Sequence, residues 1–245
     1  MDVKALQFNI RHSFSPNALG YCGKNTAQER YRRCLQDNVC EGIEQEIKGF
    51  IVLNPYLQAI GRITGRPPFS YKVAECYWFG NELLSQIQND DYGILLHEFS
   101  KQGVPVWLID ELKLKKPKKF IPTHLFQVLH IGVGRASGSV PFNLESIHNC
   151  MIRWGTVTKI TKGSSAVKLH SLQQGSSKYS LMIREEIVAV NPVLTPSVSV
   201  GDIVTVHWGT VNSIIDQLQV ERLEYWTDEV LANHKSTIPM LIASD

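Results

Sequence analysis

The sequence lacks the features that would assign it to several common classes of protein. No apolar run approaches the roughly 18 residues that a membrane-spanning helix needs, and residues 1–11 lack the apolar stretch of a secretory signal. The formal net charge of the 245 residues is only +2, so overall charge does not favour nucleic acid or an anionic membrane as a partner. These absences predict a cytoplasmic protein, long enough for one large domain or two smaller ones.

Cysteine is scarce, and its spacing is not that of a zinc ribbon or a disulfide framework. The five cysteines form an odd set without a CxxC pair, so we expect reduced thiols. Cys34, Cys40 and Cys76 lie in helix-like sequence and are interpreted as small buried apolar side chains. Cys22 precedes a predicted helix start at Thr26, where backbone N–H groups would stabilise a thiolate; a cysteine that only fills the turn is the alternative.

Helical patterns fill most of the first 147 residues. From Cys40 to Ile51 apolar residues recur at helical spacing, and further helices are predicted after Ser70 and around residues 107–112. The run Lys113–Lys119 is the only cluster of like charge, but Pro117 in its middle favours a solvated linker over a nucleic-acid patch.

Two segments of this first part are predicted to be non-helical. Residues 15–25 are dense in turn-forming residues and predict an ordered loop. Residues 123–133 alternate in a way that predicts a strand with His124 and His130 on one face, and a buried helix is the alternative. The glycines of residues 132–138 have the wrong spacing for a dinucleotide-binding loop, so this segment is interpreted as a flexible connector.

From Cys150 onward the pattern changes to that of β-strands. Strands are predicted over residues 151–160, 166–170, 178–183, 187–190 and 202–208. Asp216, with Gln219 three residues later, predicts the N-cap of a closing helix with an apolar stripe. The predicted fold class is therefore α+β, with a mainly helical domain at residues 1–147 and a small OB-like β-barrel with a C-terminal helix at residues 148–245.

The second part resembles a known family in the order of its motifs. Cys150 is followed by Gly155 and by short strands, then by Val200-Gly201-Asp202-Ile203-Val204-Thr205-Val206-His207, and then by the helix from Asp216. This order resembles the HypC/HupF family of hydrogenase-maturation chaperones, which has no counterpart to residues 1–147. The loop Ser15–Gly23 resembles an uncharacterised protein family with the same two-part layout.

The resemblance to HypC/HupF implies a cargo, partners and a site. Those chaperones bind an iron-dicyano-carbonyl fragment together with a maturation scaffold protein and deliver it to a hydrogenase large subunit. Their essential cysteine corresponds to Cys150 and their histidine to His207, and thiolate and imidazole are suitable donors for low-spin iron. Cys150 is internal, whereas the family's cysteine follows the initiator methionine, and Arg153-Trp154-Gly155 replaces an apolar-Pro-Gly sequence. His148 is a further candidate metal donor, with a surface histidine as the alternative.

Three functions are consistent with these residues. The first is a non-enzymatic assembly factor that carries the iron fragment on Cys150 and His207. These two residues should then lie together at one end of the barrel, and the helical part would serve as a docking surface or a lid. The second is a metalloenzyme whose site adds His124 or His130 to that pair. The third is an OB-type module that binds single-stranded nucleic acid through Trp154, Trp208 and basic residues.

Overall fold

The computed structural model describes residues 2–23, 25–175 and 178–234, and it divides them into a helical part and a sheet with a closing helix. The α-helices are α1 (Val3–Ala18), α2 (Gln28–Asp37), α3 (Ile43–Lys48), α4 (Leu53–Thr64), α5 (Tyr71–Trp78), α6 (Tyr92–Gln102), α7 (Val106–Leu114), α8 (His124–Phe126), α9 (Leu144–Cys150) and α10 (Gln217–Asn233). A π-helical turn, Gln127–Gly132, continues α8. Within the described ranges no helix is long and apolar enough to cross a membrane.

The five strands form one sheet that closes on itself. They are β1 (Arg153–Thr161), β2 (Ser164–Gln174), β3 (Tyr179–Val190), β4 (Ile203–His207) and β5 (Thr210–Ile214). The order is β1-β2-β3-β5-β4, and β4 pairs back to β1; β3 and β5 are parallel, and the other pairs are antiparallel. The predicted α+β class, with strands followed by a C-terminal helix, is confirmed.

The helical part and the sheet share a buried core. It extends from the helices through Met151 and Trp154, at the start of the sheet, to Leu223 and Val230 of α10. A separate small interior lies within the sheet, formed by Val157, Val167, Leu169, Val188, Val204, Val206 and Val211. The predicted boundary between residues 147 and 148 falls inside α9, which carries the chain from one part to the other.

The predicted strand at residues 123–133 is wrong, because this segment is helical. Thr123 caps α8 by accepting a hydrogen bond from a backbone N–H at 3.3 Å. Residues 124–129 are all buried, so the polar stripe that identifies a surface helix is missing. The helical course also separates His124 from His130, which the strand would have placed on one face.

Three other boundaries differ from the prediction. Residues 15–18 of the predicted loop complete α1, with Pro16 inside the helix. The two strands predicted at residues 178–183 and 187–190 are one strand, β3. The prediction omits β5, which follows β4 after the turn Trp208-Gly209, so His207 ends the fourth strand and not the last.

The prediction of reduced cysteines is wrong for one pair. Cys34 and Cys40 form a disulfide bond across a sequence separation of 6 residues, between α2 and α3. The chain reverses there through Asn38, which adopts the left-handed conformation with φ 59°. The other three cysteines are free thiols.

Gly155 is required where β1 approaches β2. A Cβ atom built on Gly155 would lie 1.8 Å from the backbone oxygen of Lys168. We expect Gly155→Ala to lower the free energy of unfolding by roughly 1–3 kcal/mol, because the strands must separate locally to admit a methyl group. Urea unfolding measures the effect, with Gly93→Ala as the control. Gly93 is exposed in α6 with nothing near its Cβ position, so Gly93→Ala should be neutral or stabilising. Equal losses of stability in Gly155→Ala and Gly93→Ala would contradict the steric argument.

Candidate metal centre

One cluster of metal-binding side chains occurs in the part of the chain that the structure describes. It consists of His124, Cys150 and His207, whose potential ligand atoms all lie within 4.8 Å of one another. All three side chains are buried. The structure thus brings together Cys150 and His207, which the sequence pairs, and adds His124 from the helical part.

The cluster lies where the end of α9 meets the end of β4. Cys150 is the last residue of α9, and His207 is the last residue of β4. The backbone N–H of Trp208 donates to the carbonyl of Asn149 at 2.8 Å, which ties the two ends together. Trp208 and Gly209 have φ values of 50° and 69°, as a tight two-residue hairpin turn requires, so the chain leaves the site at once into β5.

His207 is oriented by a backbone carbonyl of α1. Its Nδ1 lies 2.6 Å from the carbonyl oxygen of His12, which can only accept, so Nδ1 is protonated and the lone pair of the neutral ring is on Nε2. The His12 carbonyl is free for this bond because Pro16, four residues later, lacks the N–H that a regular helix would direct to it. Nε2 of His207 is buried and makes no hydrogen bond of normal geometry among the described residues, which leaves it available to a metal.

His124 is held at both ring nitrogens. Its Nε2 donates to the backbone carbonyl of Cys150 at 2.7 Å, and its Nδ1 accepts from the hydroxyl of Tyr77 at 2.9 Å. The same Nε2 lies 3.8 Å from Sγ of Cys150. His124 can therefore become a third ligand only after its ring exchanges tautomer, whereas His207 already presents a lone pair.

Burial keeps the donors neutral. It lowers the pKa of His207 to about 4, although the hydrogen bond to His12 opposes the shift. Burial, followed by the proximity of His207, holds the pKa of His124 well below its ordinary value. Burial also raises the pKa of the Cys150 thiol well above its usual range, against the effect of the nearby Trp208 indole. Neutral imidazole is the form that binds metals, and a metal must displace the thiol proton.

The three donors face a cavity of about 290 Å³ between the helical part and the sheet. The segment 132–138, interpreted from sequence as a flexible connector, forms one wall together with Ser139 and Val140, and residues 20–23 form another. The two walls are joined by a hydrogen bond from the Ser139 hydroxyl to the Tyr21 carbonyl, 2.8 Å long. The ring of Tyr21 packs against Trp208 with centroids 4.6 Å apart, and both residues line the cavity.

Cys22 lines the same cavity but does not belong to the donor cluster. A helix does begin close to the predicted start, because the 3₁₀ turn Asn25–Ala27 leads into α2 at Gln28, but it does not stabilise the thiolate of Cys22 as expected. Burial instead raises the pKa of Cys22 to about 12. Without a metal, this residue is a neutral thiol.

The structure does not bring His148 or His130 to the cluster. Nε2 of His148 accepts a hydrogen bond from Arg153 at 2.8 Å and lies 3.5 Å from the carboxylate of Glu186. Arg153 is fully buried and pairs with Glu186 at 2.5 Å, so His148 completes an ion-pair network at the end of the sheet. His130 bonds to the Tyr92 hydroxyl at 3.0 Å in another part of the helical core.

Two groups that orient the donors are absent from the sequence prediction. Pro16 is the signal for the free carbonyl of His12, because a proline inside a helix always releases the carbonyl four residues earlier. That signal is hidden when the segment is interpreted as a loop. Tyr77 has no sequence signal, since it follows the apolar pattern of its helix like any core residue.

These features define a two-part α+β protein with a buried Cys–His–His cluster in the cavity between its parts. Residues 4–239 match a family described as a family of unknown function, DUF6390, and the chain belongs to that family. No curated protein and no solved structure matches the chain.

Proposed function

We propose that this protein is a metallocentre assembly factor that carries an iron-dicyano-carbonyl fragment on Cys150 and His207. The observation that carries the proposal is the meeting of the Cys150 thiol with the buried Nε2 of His207, which makes no hydrogen bond of normal geometry among the described residues. Thiolate sulfur is a soft donor suited to low-spin iron, and imidazole is a suitable second donor. The residues that correspond to the functional pair of HypC/HupF chaperones are the residues that meet here.

The sheet supports the same proposal. A closed five-stranded sheet of order β1-β2-β3-β5-β4 with a helix packed after it is consistent with an OB-like barrel of the HypC/HupF kind. A maturation scaffold protein and a hydrogenase large subunit are the partners that this function requires. The cavity of about 290 Å³ has room for small ligands around the iron.

The internal position of Cys150 changes how such a fragment would be held. No N-terminal amine lies beside this cysteine, so the chain must supply any further donor from elsewhere. His124, on the helical part, has its Nε2 within 3.8 Å of the sulfur. In this proposal residues 1–147 complete and enclose the site, which gives the helical part the role of a lid.

Anaerobic purification from cells that synthesise the iron fragment tests the function. We expect iron in the purified protein and infrared bands in the cyanide and carbonyl stretching region, and we expect the iron to pass to an added metal-free acceptor subunit. A HypC/HupF chaperone purified in parallel is the positive control. Absence of iron and of both sets of bands from this protein, with bands present in the control, would reject the proposal.

A resident metalloenzyme centre is the second candidate, and the position of His124 favours it. Three protein donors with an open position beside a cavity form the general plan of catalytic metal sites. Such a centre would keep its metal during incubation with an acceptor, whereas a carrier would release it. Retained metal without cyanide or carbonyl bands would therefore support the enzyme over the carrier.

The nucleic-acid hypothesis needs Trp154 and Trp208 to be open to a base, but Trp208 is half-buried and packs against Tyr21 with ring centroids 4.6 Å apart. Trp154 is 1% exposed and stacks on His170 with ring centroids 4.8 Å apart. A base cannot reach a tryptophan that is already enclosed, and base stacking on exposed aromatic rings is the usual source of affinity for single strands. We therefore do not propose this function.

A further inference from the structure

A second cavity, of about 210 Å³, lies between α10 and the segment that joins α7 to α8. One part of its lining is the lysine run at residues 115–119. The rest comes from α8, the π-helical turn and the end of α10. This cavity shares no lining residue with the cavity of the metal cluster, so its ligand is a separate question.

The lysine run gives this cavity an excess of positive charge. Four of its five residues are lysines, and no described residue of the lining is an aspartate or a glutamate. Glu111 pairs with the first of these lysines at 2.8 Å, and Glu229 pairs with the last. In the part of the chain that the structure describes, no carboxylate pairs with Lys116 or Lys118. Two ammonium groups at the cavity are therefore uncompensated.

The backbone of the run is held in place by Asn89. The amide nitrogen of its side chain donates to the carbonyl of Lys118 at 2.7 Å, and its amide oxygen accepts from the backbone N–H of Phe120 at 2.8 Å. Asn89 itself begins the 3₁₀ turn that leads into α6. The backbone that presents the lysines is thus tied to the helical core, and this reduces the entropy that a bound ligand would cost.

The remainder of the lining is apolar or neutral. Ile121, Phe126 and Val230 are buried side chains of the core. His130 and His234 also line the cavity, and burial lowers the pKa of each to about 4, so both imidazoles are neutral at pH 7. The cavity therefore combines a cationic wall with an apolar interior, which suits a ligand that has an anionic group and a non-polar body.

We propose that this cavity binds a small phosphate monoester, with the phosphate against Lys116 and Lys118 and the non-polar part inside. A phosphate monoester carries a charge of about −1.5 to −2 at pH 7, so it gains more from two ammonium groups than a carboxylate does. An engineered cavity of about 150 Å³ holds benzene, so this one has room for a single ring. None of the metal donors takes part, and the site is independent of the carrier function.

Calorimetric titration of the full chain with phenyl phosphate and with inorganic phosphate tests the site. We expect phenyl phosphate to bind one to one and at least roughly 10-fold more tightly, because its ring leaves water for the apolar interior. Its affinity should fall as the salt concentration rises. Equal affinities would show that the interior of the cavity takes no part, and absence of binding at roughly 1 mM phenyl phosphate would also overturn the proposal.

The double variant Lys116→Gln/Lys118→Gln locates the binding. It should weaken phenyl phosphate roughly 10-fold or more, because both charge-assisted contacts are lost. Lys159→Gln/Lys162→Gln is the matched control, since it removes the same charge from exposed positions on β1 and the turn after it. The control should bind like the native chain. Equal losses in the two double variants, or no loss in the first, would contradict a site at the lysine run.

Two further ligands separate this site from the alternatives. A single-stranded DNA of ten thymidines should bind more weakly than phenyl phosphate, because a polymer cannot place its ring-bearing units in this cavity; tighter binding that depends on Lys116 and Lys118 would make the run a nucleic-acid contact. Cu⁺, a soft ion that thiolates bind, is the probe of the metal centre. Lys116→Gln/Lys118→Gln should bind Cu⁺ like the native chain, whereas joint loss of Cu⁺ and phenyl phosphate would show that the phosphate site is not a separate one.

Discussion

Cys150→Ala is expected to abolish metal binding while the fold persists. Cys150 is the one donor in the cluster that can become anionic, and its loss removes the only charge that the site contributes. Changes to groups that merely support metal ligands already cost about 10- to 100-fold in affinity, so removal of the anionic ligand should cost more than about 100-fold. His207→Ala, which removes a neutral donor, should weaken binding less. Competition with a Cu⁺ chelator measures both variants.

Cys76→Ala is the matched control for this experiment. Cys76 is also a fully buried free thiol, but it does not line the cavity. Loss of a buried sulfur should lower the free energy of unfolding by roughly 1–2 kcal/mol in either variant. Only the variant at Cys150 should lose Cu⁺. Native Cu⁺ affinity in Cys150→Ala, or equal loss in both variants, would contradict the assignment of Cys150 as a ligand.

The pairing of Cys150 with His207 could be predicted because both residues lie at the ends of elements with clear patterns. Cys150 stands where the helical pattern stops, and His207 ends an alternating strand. β1 and β4 are neighbours in the closed sheet, so residues just outside their paired ends meet. The omission of β5 did not disturb this result, because the hairpin after His207 leads away from the cluster.

The role of His124 could not be derived from the same patterns. A helix that is buried on every side has no polar face, and its apolar run is compatible with a buried strand as well. The strand interpretation put His124 beside His130, and only the helical course directs His124 alone to the site. The Cys34–Cys40 disulfide was missed for a related reason, because it depends on a reversal of the chain between two helices that no spacing rule encodes.

Arg222→Met is expected to destabilise the protein by roughly 3 kcal/mol, because it leaves a buried carboxylate without its main partner. Nη1 of Arg222, on α10, lies 2.8 Å from the carboxylate of Glu75 on α5, and the Glu75 side chain is only 4% exposed. Asn81 donates to the same carboxylate at 2.9 Å, and Lys72 lies 3.8 Å from it. These partners remain in the variant, so the loss should fall at the lower end of the range for broken buried pairs.

The double variant Glu75→Gln/Arg222→Met separates the ion pair from simple packing. If the loss in Arg222→Met comes from the unpaired charge of Glu75, neutralising that carboxylate should recover a large part of the lost stability in urea unfolding. If it comes from lost contacts of the arginine side chain, the double variant will be at least as unstable as the single one.

α5 also carries Tyr77, which bonds to His124, so the same proteins can be assayed for Cu⁺ binding. We expect Arg222→Met to bind Cu⁺ normally well below its unfolding transition, because α10 supplies no donor to the cluster. Weakened binding under those conditions would show that the docking of α10 controls the position of α5, and through Tyr77 the position of His124.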